Sequence, residues 1–516
     1  LKRISSPMQA LATTITVTSV MTGVVPLTQL ALGAGGPAVM VFGFALVCLL
    51  SLTIALSLAD IASGFPNVKG GLIEYSRRLA PPHLKRISAW TVGWLHFFSF
   101  TMGATACAFS IAVFGAAGLQ IATGVAPQRW VTVFIHIVVS ALFGVFNAYS
   151  FDVDFISVLW HVLGPLIIVI TVAASSKNPP PVSWVLTHFE NQTGWSSPFY
   201  VSLLGLMLGS FTMTGYDAPI HTMHSIENAA VKVPRGILFG FLTSFVIGEI
   251  IIVTLLFGIS DIRHIVNPNM SGIAAIEIFC HLIGTSGVIC ILVIFMGTFF
   301  FCGQGVLRAC SEVGQELALS GAFPKSEYLS KVGSKGQPAR VGWLCVLISC
   351  GIGLIYLGNT TILQAMTSAV AMELNLVYTI PVALRLFFPS PTRFQPGPFS
   401  LGRWRRPVAV VAISWAILCV FIFSLPGFHP ITTDNMNYAS ILLIITLSLI
   451  LGYWYFSARK WFDLNRPSTE ENANTEDQRG MPMAVRSEGP LQEKDLDEIE
   501  SWLDHMERNL HLGKAD

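Results

Sequence analysis

The chain has 516 residues, of which 53% are hydrophobic and 11% charged, and its mean hydropathy is +0.64. A water-soluble protein of this size does not carry so apolar a composition, so the solvent around most of the chain is lipid. A formal net charge of +1 lacks the basic excess that a nucleic-acid partner requires.

Windows of about 20 apolar residues, the length that spans a bilayer core, follow one another along the chain. They fall at 7–32, 37–61, 90–119, 130–148, 155–174 and 200–220, then at 236–259, 284–306, 341–357, 361–388, 407–425 and 438–456. They predict an all-α integral membrane protein with 12 transmembrane helices, in a membrane domain over residues 1–461. Basic residues set its orientation. Lys69, Arg77, Arg78, Lys85 and Arg86 follow the second window, and Lys232 and Arg235 the sixth. Arg308, Lys325, Lys331, Lys335 and Arg340 follow the eighth, and Arg393, Arg403, Arg405 and Arg406 the tenth. The alternate loops hold only Arg129, Lys177 and Arg263. The positive-inside rule therefore places both termini in the cytoplasm. The sequons at Asn191, Asn269 and Asn359 all fall in loops expected outside. The plasma membrane is the first expectation for location, with the vacuolar membrane as the alternative.

The tripeptide Met21-Thr22-Gly23 in the first window recurs as Met213-Thr214-Gly215 in the sixth. Glycine weakens a helix by about 1 kcal/mol relative to alanine. Two weak points five windows apart suggest paired discontinuous helices near the bilayer midplane, the arrangement of secondary transporters. Thr18, Ser19, Thr22, Gly23 and Pro26 cluster in the first window; Ser210, Thr212, Thr214, Gly215, Tyr216 and Asp217 cluster in the sixth. If both helices unwind there, freed N–H groups face a carboxylate and freed carbonyls face an ammonium. The competing reading is Ser/Thr back-bonding with a proline kink. Asp217 either pairs with a substrate amine or a proton, or caps the helix that follows it.

Other ionisable residues lie deep in the windows: His96, His136, His161, Glu249 and Glu373. His161, Glu249, Glu373 and His96 are the candidates for proton coupling, against a hydrogen-bonded structural role for each. The nine cysteines show no metal-ligand spacing and are expected as small buried residues. Asp217, His221 and His224 would share a helix face, but Pro219 interrupts the run, so no metal site is expected. No cofactor is implied. No HExxH, GxSxG or P-loop motif is present, which argues against an enzyme.

After the last window the character changes. From Lys460 onward there are 14 acidic against 7 basic side chains. The segment 462–516 is expected as an acidic cytosolic tail, with an amphipathic helix over 492–510 that solvent or a cytosolic regulator covers.

The run Thr212-Met-Thr-Gly-Tyr-Asp-Ala-Pro-Ile-His221, followed by Glu227-Asn-Ala-Ala-Val-Lys-Val-Pro-Arg235, resembles the sixth-helix signature of fungal amino-acid, GABA and choline permeases. These belong to the amino acid–polyamine–organocation superfamily. Phe65-Pro-Asn-Val-Lys-Gly-Gly71, Trp90-Thr-Val-Gly-Trp-Leu95 and Trp160-His-Val-Leu-Gly164 resemble its other signatures. The resemblance implies a LeuT-type fold: inverted repeats of five helices each at about 7–174 and 200–388, with two peripheral helices at about 407–456. It implies substrate between the broken helices, touching Thr18, Ser19, Thr22 and Gly23 in the first and Thr212, Met213, Thr214, Gly215 and Tyr216 in the sixth. Aromatic lining comes from Phe98 or Phe100 of the third helix. The chain departs from the pattern in having His96 where Asn is usual, and Ser311-Glu-Val-Gly-Gln-Glu-Leu-Ala-Leu-Ser320 where the family carries two arginines and an aspartate. The expectation is a proton-coupled permease for a small amino acid or related amine, working by alternating access. A transporter-like sensor that binds without moving substrate is the alternative.

Overall fold

The computed structural model describes residues 7–66, 68–149, 154–223, 226–266, 273–333, 336–358, 362–432 and 435–462. The expected tail helix at 492–510 and the sequons at Asn269 and Asn359 lie outside them. Among the described residues the fold is helical, and the only β pairing is a single bridge from Ala34 to Asn191.

In chain order the main helices are α1 (Pro7–Thr18), α2 (Val20–Gly33), α3 (Gly36–Gly64), α4 (Lys85–Thr123), α5 (Arg129–Tyr149), α6 (Asp154–Ser175) and α7 (Pro198–Thr212). They continue with α8 (Ala218–His221), α9 (Ala229–Phe257), α10 (Ala274–Leu319), α11 (Ala339–Ile355), α12 (Ile362–Phe387), α13 (Arg405–Ser424) and α14 (Ala439–Phe456). Ten helical stretches among the described residues are long and apolar enough to cross a membrane, the first of them running through α1 and α2 as one. The two other expected spans fall on α7 and α11, which are shorter. At 1.5 Å per residue α7 reaches only about 22 Å, less than a hydrocarbon core of about 30 Å. In the case of α7 the shortfall has a cause in the sequence: the helix stops at Thr212, and α8 resumes beyond a gap.

Lipid-facing helices are apolar outward. On α6, Phe155, Leu159, Val162, Leu166 and Ile170 are exposed down one face, while Ser157 and His161 are buried on the other. This inverts the soluble pattern, because lipid solvates the apolar stripe and polar groups must find partners inside. Close helix contacts use small residues, as is usual in membranes. Gly236 and Gly240 of α9 lie against Ala10 and Thr14 of α1, and a Cβ on Gly240 would sit 2.5 Å from Thr14 Cβ. A buried ion pair joins α3 to α12: Arg385 Nη1 donates to Asp60 Oδ2 at 2.8 Å, and its guanidinium lies 3.8 Å over the Phe394 ring. At the other end of the chain, Trp90 donates to the Ile450 carbonyl at 3.0 Å and packs against Trp454 and Phe462, seating α14 on α4.

Candidate substrate site at two interrupted helices

The first interruption is a single residue. Ser19 takes a left-handed conformation (φ 32°, ψ 77°) between α1 and α2. Its N–H still donates to the Ile15 carbonyl at 3.0 Å, and its own carbonyl accepts from the Thr22 N–H at 2.9 Å and the Thr22 hydroxyl at 2.6 Å. The Ser19 side chain turns to α6. His161 Nδ1 lies 2.8 Å from the Ser157 carbonyl, which can only accept, so Nδ1 carries the proton. Nε2 then accepts from the Ser19 hydroxyl at 2.9 Å. The break thus lies two residues before the repeated tripeptide. Thr22 and Gly23 stand in the regular first turn of α2, which corrects their expected place inside the break. Gly23 is there for contact: a Cβ on it would come within 2.6 Å of Thr212 Cα.

The second interruption is wider, from Met213 to Asp217, and here glycine does set the conformation, with Gly215 at φ 83°. Its N–H donates to the Tyr378 hydroxyl of α12 at 3.0 Å, and that hydroxyl donates to Asp217 Oδ1 at 2.7 Å. The two breaks touch, since a Cβ on Gly215 would lie 2.8 Å from Val17 Cγ1 and 3.2 Å from the Val17 carbonyl oxygen. One tripeptide therefore does two jobs, close packing in α2 and interruption of the helix after α7.

A cavity of about 600 Å³ opens beside the touching breaks. Thr18, Thr22, Gly23, Thr212, Thr214 and Gly215 line it, with Ser99, Ser110 and Thr367 adding hydroxyls and Phe100, Phe211 and Phe299 adding rings. No charged side chain among the described residues lines it. The Thr18 hydroxyl is buried in the wall without a hydrogen-bond partner. A buried hydroxyl left unpaired is costly, so an orphan facing a cavity is a place for a ligand atom.

Several expected site residues lie elsewhere. Met213 and Tyr216 are in the second break but outside the cavity lining, and Tyr216 packs on Phe241 and Tyr378. Phe98 stacks on Trp94, while Phe100, two residues on, reaches the cavity. Asp217 is fully buried and lies outside the cavity lining. It stands at the N-cap of α8 without a capping hydrogen bond. Its carboxylate accepts from Tyr378 on Oδ1, and on Oδ2 it meets His221 Nε2 and His96 Nε2, each at 3.1 Å. The ligand atoms of His96, Asp217 and His221 all lie within 4.8 Å of one another, so the trio has the composition of a metal site. His224, which the sequence groups with Asp217 and His221, lies outside the described residues. Phe100 separates this trio from the cavity, with ring centroids 4.2 Å from His96 and 5.7 Å from His221.

The remaining proton-coupling candidates are dispersed. Glu249 is half-buried in α9, with Oε2 unpartnered. Glu373 is fully buried in α12, where neither oxygen has a well-formed hydrogen bond and Thr446 is the polar group facing it. Neither lines the cavity. Residues that sequence reasoning passed over are Tyr378, which bridges the second break to Asp217, and the pair Asp60–Arg385. Tyr378 left no signal, because a tyrosine in an apolar window looks like any interior aromatic.

Comparison with known proteins gives the family. A family model described as amino acid permease matches residues 8–447. The chain belongs to the amino acid permease family. The amino-acid permease BAT1 of Arabidopsis thaliana is 31% identical over 482 residues, covering 90% of this chain and 93% of the relative. The choline transporter of Saccharomyces cerevisiae is 28% identical over 460 residues, covering 86% and 79%. An uncharacterized amino-acid permease of Schizosaccharomyces pombe is 28% identical, covering 79% and 77%. This permease is thus a multi-pass membrane transporter of the amino acid–polyamine–organocation superfamily, for amino acids or related substrates, and its relatives are named as permeases and transporters, not as enzymes.

Proposed function

We propose that this permease moves a small, net-neutral amino acid, coupled to protons, by alternating access across twelve membrane segments with both termini cytosolic. The observation that carries the reading is the uncharged, hydroxyl-lined cavity at the meeting of two interrupted helices. A zwitterion needs both a donor set and an acceptor set, and helix ends supply them without a formal charge. A polyamine or other polycation would enter this cavity with no carboxylate to meet it, so it is disfavoured. Three phenyl rings suit an apolar side chain.

A second cavity, of about 520 Å³, lies on the other side of the breaks, lined by Thr13, Thr16, Ala218, Thr222, Arg308 and Glu312 among others. Val17 lines both cavities. We assign the second cavity to the cytosolic exit path, closed by Val17 where it meets Gly215. Proton coupling is assigned to His161. Once protonated, its Nε2 no longer accepts, so the Ser19 hydroxyl must turn and the first break must readjust.

The test is uptake of labelled solutes into proteoliposomes with and without an imposed pH gradient. Accumulation of a small neutral amino acid, driven by the proton gradient and not by sodium, is the expected result. Preferred uptake of a polyamine or basic amino acid would overturn the substrate class. Saturable binding without accumulation would favour the sensor.

A further inference from the structure

Two cysteines of the cavity wall stand apart from the rest. Cys107 of α4 and Cys302 of α10 both line the central cavity, and their sulfur atoms are 3.8 Å apart. We propose that they form a binding site for a thiophilic divalent cation, zinc or cadmium, inside the cavity. The site itself rests on geometry; its effect on transport rests on the reading of the cavity as the substrate site.

The spacing fits. Zinc–thiolate bonds are about 2.3 Å, which sets two sulfurs of a tetrahedral site roughly 3.8 Å apart. No backbone movement is then needed to bring the pair onto one ion. A further ligand atom stands beside Cys302: the thiol donates to the Val17 carbonyl at 3.5 Å, and the Thr22 hydroxyl oxygen lies 3.8 Å away. Loss of the thiol proton frees the Val17 oxygen to approach the ion.

Charge also fits. Binding releases one proton from each thiol, so a divalent cation and two thiols give a neutral dithiolate complex and two protons. In a cavity with no charged lining, a neutral product avoids the cost of leaving a bare ion in a medium of low dielectric constant. A hard cation such as magnesium would find too few oxygen ligands here, and thiolates select soft or borderline ions. An ion held there would tie α4 and α10 to the first break through Val17, and so block the cavity.

A second thiol pair provides an internal control. Cys310 and Cys345 have sulfurs 3.3 Å apart beside Thr101, but they are buried away from the cavity lining. Reach, and not thiol proximity alone, distinguishes the two pairs.

The experiment is titration of the purified full chain with Cd2+ alone, followed by sulfur-to-cadmium charge-transfer absorbance. Saturation at one ion per chain is expected. Cys107→Ser and Cys302→Ser should each weaken binding by roughly ten- to a hundred-fold, since losing a ligand costs at least as much as losing an outer-shell partner. Cys310→Ser should bind as the parent does. Unchanged affinity in both cavity variants, or no band in the folded parent, would overturn the site. A readout on the parent chain guards against misfolded variants: Cd2+ should slow maleimide labelling of Cys107 and Cys302, mapped by peptide mass, and unslowed labelling also counts against the proposal. If cadmium binds at the pair while uptake continues, the ion site stands, and the cavity loses its claim to be the transport route.

Discussion

Ser19 and Gly215 both take positive φ, but they reach it by opposite means. Gly215 has no Cβ and adopts the conformation at little steric cost. Ser19 does have a Cβ, so its left-handed state costs on the order of 1–2 kcal/mol; two hydrogen bonds on its carbonyl and one to His161 offset that strain. A side chain at position 215 would meet the φ penalty together with the Val17 backbone. Gly215→Leu should therefore abolish uptake and lower Tm, and wild-type uptake in reconstituted vesicles would contradict the site. Thr18→Val is the milder probe. Its hydroxyl has no partner to lose, so Tm should stay unchanged. One neutral hydrogen bond to substrate is worth about 1 kcal/mol, so KM should rise roughly fivefold at little change in maximal rate. An unchanged KM would remove Thr18 from the substrate contacts.

At the scale of elements, the helices are held by contacts that leave almost no mark in hydropathy. Asp60 and Arg385 lie far apart in sequence and meet inside the bundle between α3 and α12. Asp60→Asn leaves a guanidinium buried without its counter-charge, which should cost about 3–5 kcal/mol. The paired replacement Asp60→Leu with Arg385→Met should recover most of that loss, because no bare charge remains. Thermal unfolding in detergent checks both, and equal destabilisation by the single and double changes would rule out the pair as the cause. The contact of α1 with α9 follows the same logic in apolar form. Gly236 and Gly240 let two backbones approach, and any larger residue would push α1 outward.

On the scale of the whole molecule, coupling is a link between a proton site and the gating of the cavity. His161 on α6 and Ser19 at the first break are joined by one hydrogen bond, so protonation in one element bears on the geometry of another. His161→Gln keeps a polar side chain but cannot take up the proton. Accumulation driven by a pH gradient should fall to the equilibrative level, while exchange of labelled for unlabelled substrate continues. Gradient-driven accumulation at the parent level would acquit His161 and return attention to His96, whose imidazole lies against Asp217 behind Phe100.

Much of this permease was legible in sequence. Runs of apolar residues located most of the membrane helices, because lipid demands them locally and each run answers that demand alone. The weak points near Ser19 and at Gly215 were visible because glycine and clustered hydroxyls change the backbone where they stand. Tertiary structure decided what depends on facing partners. It narrowed the first break to Ser19 and left Thr22 and Gly23 in regular helix, turned Asp217 away from the cavity to Tyr378, His96 and His221, and chose Phe100 over Phe98. It also brought Cys107 to Cys302 across 195 residues. Hydropathy and helix propensity are properties of a segment, whereas the destination of a buried polar side chain is set by whichever neighbour satisfies it.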